Sequence, residues 1–316
     1  MALRKEPKYV LPFEAKVKAE LAGLLPESSC CCWSELAGWA RVASQVAEGK
    51  QGKYLIIKAQ GANLARKAYR LLRAVLGETE EILVDRAKGS LSSYRLKVHL
   101  TNPALLVKLG LKDRWGRKVV GLRKSLLRRE CCRRAYLRGL FLGGGWIGVK
   151  GGYQLELELP TGEAAQETVA LLQRLGVRAR RHSRRPKVVY LKQGGAVAEC
   201  LRLMGASASL LELENTRILR EVRGQVNRLV NCETANLART VEAALSRRKE
   251  IEQLIAWVGL ENLPAPLREV AELRLRYPEA TLKELGELLH PPVSKSCVNH
   301  RLRRLAALAR ELKKEG

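Results

Sequence analysis

The stretch CCRRAYLRGLFLGGGWI, residues 131–147, decides how this chain is read. Its helical run ends on Gly143, Gly144 and Gly145, although glycine costs about 1 kcal/mol relative to alanine inside a helix. Something there requires small residues, either a catalytic centre or the close packing of two helices. A related stretch, CCWSELAGWARVASQV (31–46), places Leu36 where Leu137 stands, and such self-similarity has to be read before any single element.

The segments after the two stretches also correspond. The first is followed by YLIIKAQ (54–60), the helical run NLARKAYRLLRAVLG (63–77), the strands EILVDR and SSYRLKVHL, and the helix NPALLVKLGL (102–111). The second is followed by YQLELELP (153–160), the helical run AAQETVALLQRLGV (164–177), a hairpin in RARRHSRRPKVVYLKQ, and the helix GAVAECLRLMGA (195–206). Each half is predicted to run αββαββα.

That order, with the repeated motif on the first helix, resembles the LAGLIDADG homing endonucleases over residues 30–206. The resemblance implies a pseudo-two-fold domain in which the two motif helices pack at the centre. Gly139, Gly143, Gly144 and Gly145 would then face Ala37, Gly38 and Ala43, so the glycines serve packing. It also implies an acid at the end of each motif helix, where the family holds divalent metal at the scissile phosphates. Here those positions fall on Ala43 and Gly144, and the motif's other aspartate position on Leu142. No Asp or Glu lies between Leu137 and Gly152 to replace them. Carboxylate oxygens are what a hard cation needs, so no catalytic residue and no enzymatic activity are expected.

Composition narrows the partners. The 316 residues carry a formal charge of +26, from 58 Lys and Arg against 32 Asp and Glu. A basic excess of this size points to a polyanion, with double-stranded DNA as the expected partner. A membrane is excluded as a partner, because no run approaches the length of an apolar span and no long amphipathic helix carries the basic residues. The N-terminus, broken by prolines and charges, is not read as a targeting segment, and the expected location is cytoplasmic and nucleoid-associated. The eight cysteines stand as Cys30-Cys31-Cys32, Cys131-Cys132 and singles at Cys200, Cys232 and Cys297. Lacking any C-x-x-C pair, they are read as small buried residues, with no metal, cofactor or disulfide assigned.

Two basic segments stand out in the repeats. KDRWGRKVVGLRKSLLRRECCRR (112–134), with Arg123 and Lys124, is either a solvated linker or an arm that tracks phosphates. The turn containing Arg181, Arg184 and Arg185 offers phosphate or protein contacts, or cross-strand partners for Glu156 and Glu158.

Beyond residue 206 the patterns are helical throughout. One helix is predicted over 208–231 and another over 233–260, with the polar stretch NRLVNCETAN (227–236) between them capping the second or touching phosphate from its N-terminus. Three compact helices follow: 267–277; 281–289, opened by a Thr281/Glu284 capping box; and 294–314, capped by Ser294. The short link HPPV between the last two fits a helix-turn-helix, whose second helix enters the major groove. On that helix Val298, Leu302, Leu305 and Leu308 form the core stripe. Ser294, Lys295, Ser296, Asn299, His300, Arg301, Arg303 and Arg304 are the candidate DNA contacts, since arginine suits guanine and asparagine suits adenine. Zinc binding by His290, Cys297 and His300 is set aside because the spacing fits no usual site.

The whole arrangement, with FEAKVKAEL, CCWSELAG, YLRGLFLGGG, NRLVNCETANLARTV and SKSCVNHRLRRL in this order, resembles the WhiA family. Ser44, where a glycine is expected, is one departure. The resemblance implies regulation of transcription in cell division, chromosome segregation or sporulation, and leaves a second regulatory protein open as a partner. The expected architecture is α+β: an N-terminal helix and first repeat (1–112), a basic linker and second repeat (113–206), connecting helices (207–262) and an all-α helix-turn-helix domain (263–316). The alternative to site-specific regulation is non-specific chromosome organisation. An internal pseudo-two-fold already mimics a dimer, so a monomer is expected.

Overall fold

The computed structural model describes residues 11–49, 52–86, 92–101 and 104–315. The chain falls into two compact units, residues 1–219 and 220–316.

The first unit contains two copies of one pattern. After α1 (Phe13–Gly23), the first copy runs α2 (Ser29–Ala43), β1 (Ser44–Gly49), β2 (Gly52–Gln60), α3 (Ala62–Leu76), β3 (Ile82–Arg86), β4 (Ser93–His99) and α4 (Ala104–Lys108). The second runs α5 (Glu130–Gly144), β5 (Gly145–Gly148), β6 (Gln154–Glu158), α6 (Gly162–Arg174), β7 (Arg180–Arg181), β8 (Val188–Leu191) and α7 (Gly194–Met204). The sheets have equivalent orders, β1-β2-β4-β3 and β5-β6-β8-β7, and every pairing is antiparallel. The predicted αββαββα order is present in both halves.

The reason for Gly38 and Gly139 lies between α2 and α5, which cross in close backbone contact; Gly145 does not face α2 as expected but opens β5, where a Cβ would meet Phe141 of its own helix. A Cβ built on Gly139 would stand 2.0 Å from the Glu35 carbonyl oxygen, and one on Gly38 2.2 Å from that of Tyr136. Both distances are far inside van der Waals contact, so only glycine permits this approach. Around the crossing, Leu36, Trp39, Leu137, Leu140 and Phe141 are buried in a core that takes in Leu55, Ile57, Leu96, Leu155 and Leu157 from the sheets. Strand alternation divides each sheet as period 2 requires: in β6, Leu155 and Leu157 are buried, whereas Glu158 is exposed and Glu156 half-buried.

A cluster of charges lies inside this packing, with Glu35 and Lys67 fully buried and Arg138 partly exposed at its edge. Glu35 on α2, fully buried, takes Lys67 Nζ of α3 at 3.0 Å and Arg138 Nη2 of α5 at 2.6 Å. Arg138 also donates to the Met204 carbonyl at 3.0 Å. Burial holds the Lys67 amine below its ordinary range, and the Glu35 carboxylate works against that.

The basic segment between the repeats is built into the fold. Lys112 and Lys118 form an antiparallel bridge, Leu122 is buried, and Lys124–Leu127 form a 3-10 turn before α5. The guanidinium of Arg41, itself buried, donates to the carbonyls of Val119 and Gly110. These contacts correct the solvated-linker reading: apolar anchors and carbonyl acceptors give the segment a fixed place.

Helix α8 (Ser207–Val258) replaces the two helices expected over 207–260 and carries the division between the units within it. The capping assigned to NRLVNCETAN is corrected accordingly. The helix contains no proline, and its polar side chains bond back along it: Thr240 donates to the Asn236 carbonyl at 2.9 Å, and the Asn236 amide reaches Cys232 Sγ at 3.7 Å. Its start belongs to the first unit, where the Glu20 carboxylate accepts from the N–H groups of Ala208 (2.7 Å) and Ser209 (2.9 Å).

The second unit adds α9 (Ala265–Arg276), α10 (Leu282–Glu287) and α11 (Lys295–Glu315). Ile251 and Leu254 of α8 share its core with Leu267, Val270, Leu285, Val298, Leu302 and Leu305. The helical core thus begins upstream of residue 263, where the sequence reading opened this domain. Among the described residues, no helix is long and apolar enough to cross a membrane.

Candidate nucleic-acid interface

The second unit builds its candidate reading surface from local signals upward. Thr281 Oγ1 accepts from Glu284 N–H at 3.3 Å, and Glu284 Oε2 accepts from Thr281 N–H at 2.6 Å, closing the capping box at the head of α10. These bonds favour the ionised acid and hold the Glu284 carboxyl below its usual range. The turn into α11 is tight. Val293 N–H donates to the Gly286 carbonyl at 2.9 Å, and a Cβ on Gly286 would stand 2.3 Å from the Val293 oxygen. Ser294 then caps α11, its hydroxyl accepting from Cys297 N–H at 3.3 Å. Buried Arg274 ties down the α9–α10 corner by donating to the carbonyls of Pro278 (3.2 Å) and Ala280 (2.7 Å). Its structural part was not foreseen, because nothing local distinguishes it from the exposed arginines nearby.

Helical geometry sorts the predicted contacts on α11. Val298, Leu302 and Leu305 face the core, and Ser296, His300, Arg303 and Arg304 stand on the opposite, exposed face. Lys295 and Ser294 are also exposed, at the N-terminal end. Two predicted positions turn aside. Asn299 is half-buried, its Oδ1 3.5 Å from Arg247 Nη2 of α8. Arg301 is half-buried with Nη1 3.5 Å from the Pro266 carbonyl. Both sit on the flanks of the helix, between its core stripe and its exposed face.

The remaining candidates lie in the first unit. Arg181 ends β7, and Arg184 and Arg185 lie on the turn into β8; all three are exposed. The backbone N–H groups of Arg184 and Arg185 donate to His182 Nδ1 at 3.2 and 3.1 Å, which shapes the turn. Arg185 pairs with Glu156 at 2.9 Å, the cross-strand partnership expected for that acid. Arg123 is half-buried, donating to Ser125 Oγ at 2.9 Å, and Lys124 is exposed. The linker and the arginine turn both approach the start of α6: Thr161 Oγ1 donates to Val120 O at 3.2 Å, and Arg181 Nη1 lies 3.5 Å from Gly162 O.

A basic patch on the first sheet was missed. Register places Lys58 opposite Arg95 and Arg95 opposite Asp85, all on the face away from the core, with Lys97 beside them. Asp85 is shared by Arg95 (3.0 Å) and Lys97 (2.8 Å). Burial raises its carboxyl, but these bonds outweigh burial and leave it below the usual range. The alternation in SYRLKVH carried the signal. At the motif ends, α2 closes on Ala43 and α5 on Gly144, and neither side chain can ligate a cation.

The comparisons with known proteins agree with this architecture. Residues 133–223 match the WhiA LAGLIDADG-like domain and residues 226–309 the WhiA C-terminal HTH domain. The chain is 44% identical to a protein of Heliobacterium modesticaldum named "Probable cell division protein WhiA", covering 97% of this chain and 98% of that one. It is 41% identical to the protein of that name from Desulforudis audaxviator, covering 96% and 98%. The crystal structure of full-length DUF199/WhiA from Thermatoga maritima superposes with a TM-score of 0.58 at 25% identity, covering 95% of this chain and 99% of that one.

Proposed function

The chain belongs to the WhiA family, and from that premise we propose that it is a site-specific DNA-binding regulator of transcription acting in cell division. The observation that carries this reading is the exposed face of α11, where Ser296, His300, Arg303 and Arg304 project from a helix whose opposite face is locked into the core. A rigid helix with arginines and small hydrogen-bonding groups near its N-terminal half suits base edges in a major groove. Arg181, Arg184, Arg185, Arg123 and Lys124, with the basic patch of the first sheet, add phosphate contacts. Two linked modules gain affinity through effective concentration even when each is weak.

In this reading the LAGLIDADG-like domain positions DNA or recruits a second regulatory protein without cutting, because Ala43 and Gly144 replace the acids that would hold metal. The protein acts as a monomer in the cytoplasm, on the nucleoid. Roles in chromosome segregation or sporulation rest on the family resemblance alone.

The test is selection on sheared genomic DNA from the source organism, with Mg²⁺ present, followed by sequencing of what the protein retains. Enrichment of a few intact promoter-proximal fragments supports site-specific regulation. Enriched fragments that are cut overturn the non-catalytic reading. Uniform retention favours the second reading, non-specific chromosome organisation, for which the net charge of +26 speaks.

A further inference from the structure

The sequence alone reads Cys30-Cys31-Cys32 and Cys131-Cys132 as small buried residues, and adjacent cysteines are poor joint ligands when considered alone. Folding changes their relation. In the repeat that aligns Leu36 with Leu137, Cys30 is equivalent to Cys131 and Cys31 to Cys132, so each pair occupies the first turn of one motif helix. Helices α2 and α5 meet at those ends, and the four Sγ atoms all lie within 4.8 Å of one another. Among the described residues, no other group of three or more His, Cys, Asp or Glu side chains is brought together in this way. The arrangement has an inner and an outer layer. Cys31 and Cys132 are buried, Cys30 is half-buried and Cys131 is exposed.

We propose that Cys30, Cys31, Cys131 and Cys132 form a four-thiolate site for a soft tetrahedral divalent ion, zinc by preference, at the junction of the two repeats. Zinc held by four sulfurs at about 2.3 Å has S···S edges of about 3.8 Å. The thiols are already close to that spacing, and small rotamer changes complete the tetrahedron. Each helix supplies two ligands, which resolves the objection to adjacent cysteines: no single pair has to surround the ion. On binding, four thiol protons leave, four metal–sulfur bonds form, and the ion sheds its water ligands, with no change in oxidation state. The product carries a net charge of −2. The N-terminal ends of two helices of 15 residues each favour that charge, and a surface recess beside Cys31 and Cys131 is lined by Arg134, Arg138 and Arg202 together with Glu27 and Glu130. The same recess gives the ion a route in. With all four positions taken by protein, the site is structural, clamping the ends of the two central helices together.

The experiment uses the full chain, reduced and freed of metal, titrated with Zn²⁺ against a chromophoric chelator and separately with Co²⁺, whose visible spectrum reports tetrahedral thiolate ligation. The expected result is one ion per chain, protection of four thiols from alkylation, and a melting temperature that rises with free zinc. Cys131→Ser and the double variant Cys30→Ser/Cys131→Ser spare the buried thiols and should keep the native circular dichroism. Each should weaken binding at least about tenfold, the lower end of what outer-shell changes alone cost metal sites. Cys232→Ser, on α8, should bind as the parent does. The proposal is overturned if the reduced parent takes up no ion, if Cys131→Ser binds as tightly as Cys232→Ser, or if these four thiols are instead consumed as disulfides in air with no metal uptake at any stage.

Discussion

Gly139 and Glu35 explain why the motif helices tolerate so little change. The Glu35 carbonyl lies where a Cβ on residue 139 would have to go, so Gly139→Ala is expected to cost about 3 kcal/mol, the upper part of the overpacking range. Urea unfolding of the variant measures this, and a cost below about 1 kcal/mol would show that the helices part easily. Glu35 acts differently. Lys67 and Arg138 converge on its carboxylate in a site shielded from water, and Glu35→Gln leaves the buried amine of Lys67 without its counter-charge. Breaking one partner of a buried pair costs about 3–5 kcal/mol. Removing the stranded ammonium in Glu35→Gln/Lys67→Met returns the cluster to the parent's net +1, now carried by Arg138 alone, and should recover part of that loss. If the double variant is no more stable than Glu35→Gln, the single-variant loss comes from packing and not from the stranded charge.

Capping contacts set where the helices begin. Thr281→Ala removes the hydroxyl that accepts from the Glu284 N–H and should lower the stability of the second unit by about 1 kcal/mol. The partner acid gives this cap a pH dependence. Because Glu284 titrates lower when folded, its contribution is present above the ordinary glutamate range near pH 4.3 and is lost as pH falls through the lower folded value. The stability difference between the parent and Glu284→Gln, followed by denaturant unfolding between pH 6 and pH 3, should therefore shrink with acid. A difference that stays constant would mean that the charge plays no part. At the other end of the chain, Glu20 bridges α1 to the start of α8 through two backbone N–H groups and the Ser209 hydroxyl at 2.6 Å. Glu20→Ala should loosen those first-turn amides, raising their hydrogen exchange relative to amides in α2.

Charge and site choice separate only when the molecule is taken whole. With a net charge of +26 the chain should bind any duplex at low salt, and log affinity should fall steeply with log salt. Arg303→Ala should cost about 1–3 kcal/mol on an enriched site and far less on random DNA, because an arginine that reads a base loses that contact only where the base is present. Arg185→Ala, at a position paired with Glu156, should weaken both kinds of DNA by similar small factors. Competition binding at several salt concentrations distinguishes these outcomes, and equal losses for Arg303→Ala on both DNAs would remove it from base reading. Asn299→Ala, whose side chain leans toward Arg247, should affect site choice less than Arg303→Ala.

What the sequence determined by itself was whatever depends on short range. The two-residue alternation in YQLELELP, the Thr281/Glu284 spacing, the leucine stripe of the last helix and the repeated motif all report local periodicity, and periodicity is written directly into the order of residues. Together these features carried the αββαββα repeat, the sheet faces and the helix-turn-helix. Tertiary structure decided what depends on distant parts of the chain. Nothing near Glu35 in sequence reveals that Lys67 and Arg138 converge on it, and nothing near Cys31 reveals that Cys132 stands opposite. The unbroken course of α8 through NRLVNCETAN and the inward lean of Asn299 belong to the same class. Polar groups can satisfy themselves in more than one way, and only the folded surroundings choose between a helix cap, a bond back along the helix and a contact across the core.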